Sequence, residues 1–347
     1  MTDAAGSVVD IDAQRLTAWL EATLDDFVGP LSIERFAGGQ SNPTYRLRTP
    51  GQNYVLRSKP AGKTLSSAHA VDREYRVMQA LWDAAPVPRV RALCEDPDVI
   101  GRSFYVMDYV DGEILWRPDL PEIAPERRPA YFDALNRALA DLHRIVPASA
   151  GLADYGKGAG YLRRQIDRWT GQYRADERAG RLDRMDRVAE WLADNAPAED
   201  GVSIVHGDYR INNVMFAHGE PRVVAILDWE LSTLGDPITD FAYHLMMYRV
   251  PPDIQGGGLK GLDLDALNLP TEDAYVRAYC ERTGRESIPD LQFHIAYNLF
   301  RFAAIIHGIK GRALRGNASS ARAQEVAAAL ETYVDLAWEQ AKLAGMK

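Results

Sequence analysis

The feature that most constrains the fold of this chain is a change of periodicity along it. Between residues 31 and 58, short strand-like runs are separated by connectors rich in Gly, Pro and Asn, as in antiparallel hairpins. Beyond residue 112, apolar residues recur mostly at helical spacing. The sequence therefore predicts a small β-rich part that is followed by a larger, mainly helical part.

The individual elements follow this division. Strands are predicted at 31–36, 44–47, 54–56 and 103–107, with helices at about 11–28 and 68–84. Further helices are predicted near 126–146, 160–195, 271–284, 290–313 and 318–343, with a β-hairpin at about 204–227 among them. We expect an α+β fold of two lobes: an N-terminal lobe at 1–107, a hinge at 108–112 and a helical lobe at 113–347.

Composition argues against several classes of protein. The 347 residues carry 40 Lys and Arg against 49 Asp and Glu, a formal charge of −9, which does not suit a nucleic-acid binder with a basic face. There is no apolar run long enough for a membrane span, and residues 1–12 lack the basic-then-apolar order of a signal peptide. Cys94 and Cys280 lack metal-ligand spacing. We therefore expect a reduced, cytoplasmic protein that binds neither nucleic acid nor membrane.

The residues that carry chemistry lie in the segment HGDYRINN at 206–213 and, further along, at Asp228 and Glu230 after a strand-like run. Phosphoryl transfer from ATP needs such a set. One carboxylate orients the acceptor hydroxyl and accepts its proton, while an amide and a second carboxylate hold Mg²⁺. The alternative is structural, with His206 as a core histidine and Asp208 as a turn or cap residue.

The chain resembles the aminoglycoside phosphotransferase-type, choline-kinase-like small-molecule kinases, and in particular the phosphotransferases found alone in bacteria or fused to acyl-CoA dehydrogenases. The resemblance covers about residues 31–320. It rests on the segments at 38–45, 55–60, 72–75, 206–213, 228–230, 235–240 and 300–302. It implies a protein-kinase-like fold and an enzyme that uses ATP and Mg²⁺.

The resemblance also implies roles for the central residues. Asp208 corresponds to the catalytic base, His206 to a residue that braces the catalytic loop, and Asn213 and Asp228 to Mg²⁺ ligands. Glu230 would share a strand face with Asp228 if the strand continued. It could bind a second Mg²⁺, or be a solvated acid or part of a salt bridge.

Two further residues have structural interpretations. Asp236, followed by a proline, is typical of a helix N-cap. The resemblance implies that Asp240 braces the catalytic loop.

The nucleotide site is predicted in the N-terminal lobe. The resemblance places Gly38, Gly39, Ser41 and Asn42 in the turn over the phosphates, where glycine permits close backbone approach. Adenine would bind backbone groups of the hinge, around Asp108 and Val110.

The cation that contacts the phosphates has two candidates. Arg57 and Lys59 alternate onto one strand face. The resemblance aligns Arg57 with this position, and Lys59 remains the alternative. Glu74 on the following helix is the expected partner.

The acceptor is the least defined part of the site. If residues 290–315 are helical, Arg301, Arg312 and Arg315 share a face, which suits an anionic acceptor such as a hydroxylated acyl-CoA ester. The alternatives are an aminoglycoside kinase and a non-catalytic nucleotide-binding regulatory protein.

A protein kinase is disfavoured, because HGD replaces HRD, DWE replaces DFG and no APE follows. The predicted partner is thus a small molecule with a hydroxyl group.

Overall fold

The structure is a computed structural model that describes residues 11–36, 42–60, 70–199, 201–254, 256–315 and 326–347. The chain divides into two compact units. The first comprises Met1–Glu113 with Met215–Glu220 and Val224–Ser232, and the second comprises Ile114–Val214, Pro221–Val223 and Thr233–Lys347. Asp228 and Glu230 therefore belong to the first unit although they lie far along the chain, whereas the 206–213 segment belongs to the second.

The described strands and helices are as follows. The strands are β1 (Ser32–Arg35), β2 (Thr44–Arg48), β3 (Asn53–Ser58), β4 (Val90–Cys94), β5 (Phe104–Asp108), β6 (Glu113–Ile114), β7 (Ser203–Val205), β8 (Val214–Phe216), β9 (Val223–Ile226) and β10 (Thr233–Gly235). The helices are α1 (Ala13–Thr23), α2 (Val71–Leu81), α3 (Pro97–Ile100), α4 (Arg128–Arg144), α5 (Tyr161–Ala175), α6 (Asp183–Asp194), α7 (Pro237–Leu245), α8 (Glu272–Thr283), α9 (Leu291–Leu314) and α10 (Leu330–Leu343).

The first unit is built on an antiparallel five-stranded sheet in the order β1-β2-β3-β5-β4. Tyr45 lies opposite Leu56, and Leu56 lies opposite Val106, so that buried residues form a row across the central strands. Leu16 and Leu20 of α1 belong to the same apolar core. Residues that lie directly opposite each other on paired strands point to the same face of a sheet, so this row lies on one face.

The second unit is mainly helical. Helix α9 is apolar and buried along most of its length, as expected of a helix enclosed by others, and it packs against α5, α7 and α10. Strands β7 and β10 form a small antiparallel sheet within this unit, and β7 leads directly into residues 206–213.

The predicted α+β class, with a β-rich N-terminal part and a helical C-terminal part, is confirmed. The helix predicted at 160–195 is two helices, α5 and α6, and Gly180 between them has φ of +80°, which does not continue a helix. In the part of the chain that the structure describes, no helix has both the length and the apolar character needed to cross a membrane.

Candidate active site

The loop at 206–213 is anchored by a buried carboxylate. The backbone N–H groups of His206 and Gly207 donate to the two oxygens of Asp240, at 2.7 and 2.8 Å. His143 Nε2 lies 3.1 Å from Asp240 Oδ2. Burial by itself would raise the pKa of Asp240, but the hydrogen bond and charge of His143, with His206, hold that pKa below its ordinary value. Asp240 is therefore an ionised brace for the loop, which confirms its expected role.

Asp208 is held by donors on both of its carboxylate oxygens. The Tyr243 hydroxyl donates to Oδ1, and Arg210 Nε lies 3.2 Å from the same oxygen. Asn213 Nδ2 donates to Oδ2 at 2.9 Å, and the Asp208 N–H donates to His206 Nδ1 at 3.2 Å. The structure thus brings His206, Asp208 and Asn213 together, with His206 contacting the backbone of the loop.

Tyr243 was not singled out from the sequence. It lies three residues after Asp240 on α7, so both side chains face the loop. Burial, and then the charge of Asp208, raise the pKa of Tyr243 well above its ordinary range, so its hydroxyl stays protonated and donates. The signal available in the sequence was this helical spacing from Asp240.

In the first unit, Arg57 joins three acidic side chains. Its Nε lies 2.8 Å from Glu74 Oε2, its Nη2 donates to Asp228 Oδ1 at 2.6 Å, and Nη2 lies 3.7 Å from Glu230 Oε2. Burial alone would lower the pKa of Arg57, but the carboxylates raise it, so Arg57 stays charged. The pairing of Arg57 with Glu74 agrees with the arrangement expected from the resemblance.

Glu74 is almost fully buried and needs further donors. Asn42 Nδ2 donates to Oε1 at 2.8 Å, and the Tyr105 hydroxyl donates to Oε2 at 3.1 Å. Burial raises the pKa of Glu74, while Arg57 beside it acts in the opposite direction. Asn42 therefore supports the carboxylate that pairs with Arg57, a contact that the sequence did not reveal.

Asp228 has an unusual backbone conformation. Strand β9 ends at Ile226, and Asp228 has φ 64° and ψ 63°, the left-handed region that Asp tolerates better than most residues. A 3₁₀ turn at Trp229–Leu231 follows. Glu230 therefore reaches Arg57 through this turn, and the prediction that it shares a strand face with Asp228 was wrong in its reasoning.

The side-chain oxygen atoms of Asn213, Asp228 and Glu230 are of the kind that binds Mg²⁺, a hard cation. Both side-chain hydrogen bonds found for Asn213 among the described residues use Nδ2, at 2.8 and 2.9 Å, so neither occupies its Oδ1. Asp228 and Glu230 offer carboxylate oxygens beside Arg57. Each of these side chains thus offers an oxygen donor of the kind that Mg²⁺ prefers.

The other residues predicted for the nucleotide site have the following surroundings. Lys59 is about one-third exposed, with Nζ 3.9 Å from Asp72 Oδ1. Asp108 is the last residue of β5, its carboxylate accepts from Arg91 Nε at 2.6 Å, and Val110 follows half-buried. Gly38, Gly39 and Ser41 lie outside the described residues.

The three arginines predicted to form one basic face have different surroundings. Arg301 is buried, and its Nη2 donates to the Gly207 carbonyl at 2.8 Å. Arg312 is exposed, and Arg315 forms an ion pair with Asp176 at 2.7 Å. The helical projection was right about α9 but could not show that Arg301 faces the core.

A pocket of about 400 Å³ lies within the second unit, beside Asp208. Arg210 and Tyr243, which both contact Asp208, line it. Its other lining residues are Trp116, Arg117, Pro118, Ile211, Asn212, His244, Met246, Met247, Val250, Pro252, Ile254, Gly256, Gly257, Phe302 and Tyr333. The lining is therefore apolar and aromatic with two arginines, and none of these lining residues is acidic.

A sequence profile of the phosphotransferase enzyme family matches residues 32–288 of the chain. Acyl-CoA dehydrogenase family member 10 of Mus musculus is 42% identical over 323 residues, which is 92% of this chain and 30% of the mouse protein. The chain therefore spans about a third of the length of that curated relative.

Two solved structures are similar over nearly the whole chain. A Ralstonia eutropha protein classed as an aminoglycoside phosphotransferase is 46% identical, with a TM-score of 0.88, and the match covers 96% of this chain and 99% of that one. A thermostable mutant of aminoglycoside phosphotransferase APH(4)-Ia, in complex with ADP and hygromycin B, has a TM-score of 0.60 at 15% identity, with 94% and 98% covered. The second likeness concerns the fold alone.

Proposed function

Since the chain belongs to the phosphotransferase enzyme family and has its kinase-like fold, as the sequence predicts, we propose that it transfers the γ-phosphoryl group of ATP to a hydroxyl of a small molecule. The observation that carries the proposal is the setting of Asp208. Its carboxylate is oriented by Tyr243 and Asn213, and two residues that contact it line the neighbouring pocket.

Asp208 is the proposed base. Oδ2 accepts from Asn213 and can accept a second hydrogen bond, from the hydroxyl of a molecule in the pocket. A carboxylate suffices, because a loose phosphoryl-transfer transition state needs orientation and charge neutralisation more than a strong base. Tyr243 and Asn213 restrict the rotation of Asp208, so that the acceptor hydroxyl meets a fixed oxygen.

The remaining charged residues act on the nucleotide. Arg57, which Glu74 holds by an ion pair, is the proposed contact for phosphate oxygens. Asn213 and Asp228 are the proposed Mg²⁺ ligands, with Glu230 as a further one; when bound, the metal would neutralise charge on the phosphates. The aminoglycoside phosphotransferase of similar fold that holds ADP supports an ATP-type nucleotide.

For the acceptor, we favour an anionic hydroxy compound, such as a hydroxylated acyl-CoA ester, over an aminoglycoside. Aminoglycosides are polycations and need carboxylates around them, yet none of the pocket's lining residues is acidic. Arg117 and Arg210 suit an anionic group, and the apolar lining suits an acyl chain. The mouse relative, an acyl-CoA dehydrogenase family member by name, supports the same class.

The base assignment is tested by Asp208→Asn. We expect kcat to fall by about 100-fold or more, with the affinity for Mg-ATP little changed, because the amide cannot accept the proton. Asp141→Asn, an exposed aspartate on α4, is the matched control and should leave kcat unchanged. Wild-type kcat in Asp208→Asn would refute the base assignment.

The acceptor class is tested by supplying wild-type protein and Mg-ATP with hydroxylated acyl-CoA esters, the matching free hydroxy acids and kanamycin-like aminoglycosides. We expect ADP release and a phosphorylated product, detected by mass spectrometry, with the anionic esters. Turnover of the aminoglycosides alone would contradict the anionic-acceptor proposal. Binding of Mg-ATP without turnover of any hydroxyl compound would favour a nucleotide-binding regulatory protein.

A further inference from the structure

Arg301 on α9 is a buried cation without a carboxylate partner among the described residues. Arg301 is only 6% exposed. Among the described residues, its side chain makes one hydrogen bond, from Nη2 to the Gly207 carbonyl at 2.8 Å, and its buried Nε has no hydrogen-bond partner. Burying a guanidinium in this way costs free energy, so stability alone does not explain it.

The contacts of Arg301 converge on Asp208. The Gly207 carbonyl belongs to the peptide bond that leads into Asp208. The guanidinium also lies 5.1 Å from the ring centre of Tyr243, whose hydroxyl donates to Asp208, and 5.7 Å from that of Trp169. One side chain therefore contacts both the backbone before Asp208 and the tyrosine that orients its carboxylate.

The charges near Arg301 agree with this geometry. Burial acts to lower the pKa of Arg301, but its surroundings, which include the carboxylate of Asp208, raise it overall. The proposed base is thus among the groups that favour the charged form of Arg301.

We propose that Arg301 is a positioning residue that fixes the Gly207–Asp208 peptide and Tyr243, and so holds Asp208 in the orientation needed for phosphoryl transfer. The effect of Arg301 on catalysis rests on the proposed function. The effect of Arg301 on residues 206–213 does not rest on it, because the loop can be observed without turnover.

The test uses Arg301→Met, which fills the space without the charge, and Arg301→Lys, which keeps the charge. We expect Arg301→Met to melt at the wild-type temperature or above, because an apolar residue of similar volume replaces a buried ion. We expect kcat to fall by about 100-fold from misplacement of Asp208, with KM for ATP little changed. Arg301→Lys should recover part of kcat.

The second readout is amide hydrogen exchange in residues 206–213, followed by mass spectrometry. In Arg301→Met we expect exchange there to be about tenfold faster, with the rest of α9 unchanged. Arg301→Gln, which keeps a donor, serves if the methionine variant does not fold. Arg137→Met, which alters an exposed arginine on α4, should alter neither readout.

Wild-type exchange rates in residues 206–213 of Arg301→Met or Arg301→Gln would overturn the inference, whether or not the protein turns over an acceptor. Wild-type kcat in these variants would overturn it as well. Faster exchange in these residues, in a protein that phosphorylates no hydroxyl compound, would support the positioning role of Arg301 and count against the proposed function alone.

Discussion

At the residue scale, Arg57 and Lys59 show how burial separates two similar cations. They alternate on one strand, yet the side chain of Arg57 is 12% exposed and contacts the buried Glu74, whereas that of Lys59 is 34% exposed. An isolated buried carboxylate costs far more than a lost surface contact. Of the two candidates that the sequence left for the phosphate-contacting residue, we therefore propose Arg57.

This difference predicts unequal effects on stability. Arg57→Met should lower the free energy of unfolding by about 3 kcal/mol, because it leaves Glu74 buried with only its neutral donors. Lys59→Met should change it by less than about 1 kcal/mol, as an exposed pair does. Urea unfolding measures the free energy of unfolding of both variants. Equal losses would contradict the stabilisation of buried Glu74 by Arg57.

His244 gives a prediction about pH. Burial lowers its pKa to about 4 from an ordinary 6.5, so below pH 6.5 the unfolded chain binds a proton that the folded chain does not. Its contribution to stability is therefore present above pH 6.5 and is lost as the pH falls towards 4. Between pH 7 and 5 the loss should be about 2 kcal/mol.

Urea unfolding at pH 7 and at pH 5 checks this expectation. His244→Gln should remove that part of the pH dependence, whereas His218→Gln, which alters an exposed histidine, should not. An unchanged dependence in His244→Gln would show that His244 titrates normally in the folded protein.

At the element scale, α7 links the sequence to the site. Its N-cap is Asp236, fully buried, which accepts from the N–H groups of Ile238 and Thr239 at 3.0 and 3.2 Å. The predicted N-cap is thus confirmed. The same helix carries Asp240 and Tyr243, so its start fixes where both side chains meet the loop.

Asp236→Ala should therefore lower the free energy of unfolding by about 2 kcal/mol, the upper end for a cap, since its donors are buried. Asp290 at the start of α9 makes no side-chain cap hydrogen bond and is exposed, so Asp290→Ala is a matched control with little expected effect. Urea unfolding compares the two. Equal stability of both variants would mean that the cap contributes nothing.

At the scale of the whole molecule, Mg-ATP binding should be visible as stabilisation. A ligand at 100 times its Kd adds about 2.7 kcal/mol to the free energy of unfolding. We expect ATP to raise Tm more with Mg²⁺ than with EDTA. Asp228→Asn should remove the Mg²⁺-dependent part, and Asp141→Asn should retain it. A Tm increase in Asp228→Asn equal to that of wild type would contradict Asp228 as a metal ligand.

The sequence by itself determined the α+β class with its β-rich N-terminal part and helical C-terminal part, the family, and the segments that carry Asp208, Asn213 and Asp228. It could do so because periodicity and motif spacing record local structure and chemistry that do not depend on distant contacts. Only the tertiary structure decided that Arg301 is buried against Gly207, that Tyr243 and Asn42 support the two carboxylates, and which residues line the pocket. The physical reason is that helical spacing shows which residues share a face, while packing between elements decides what that face meets.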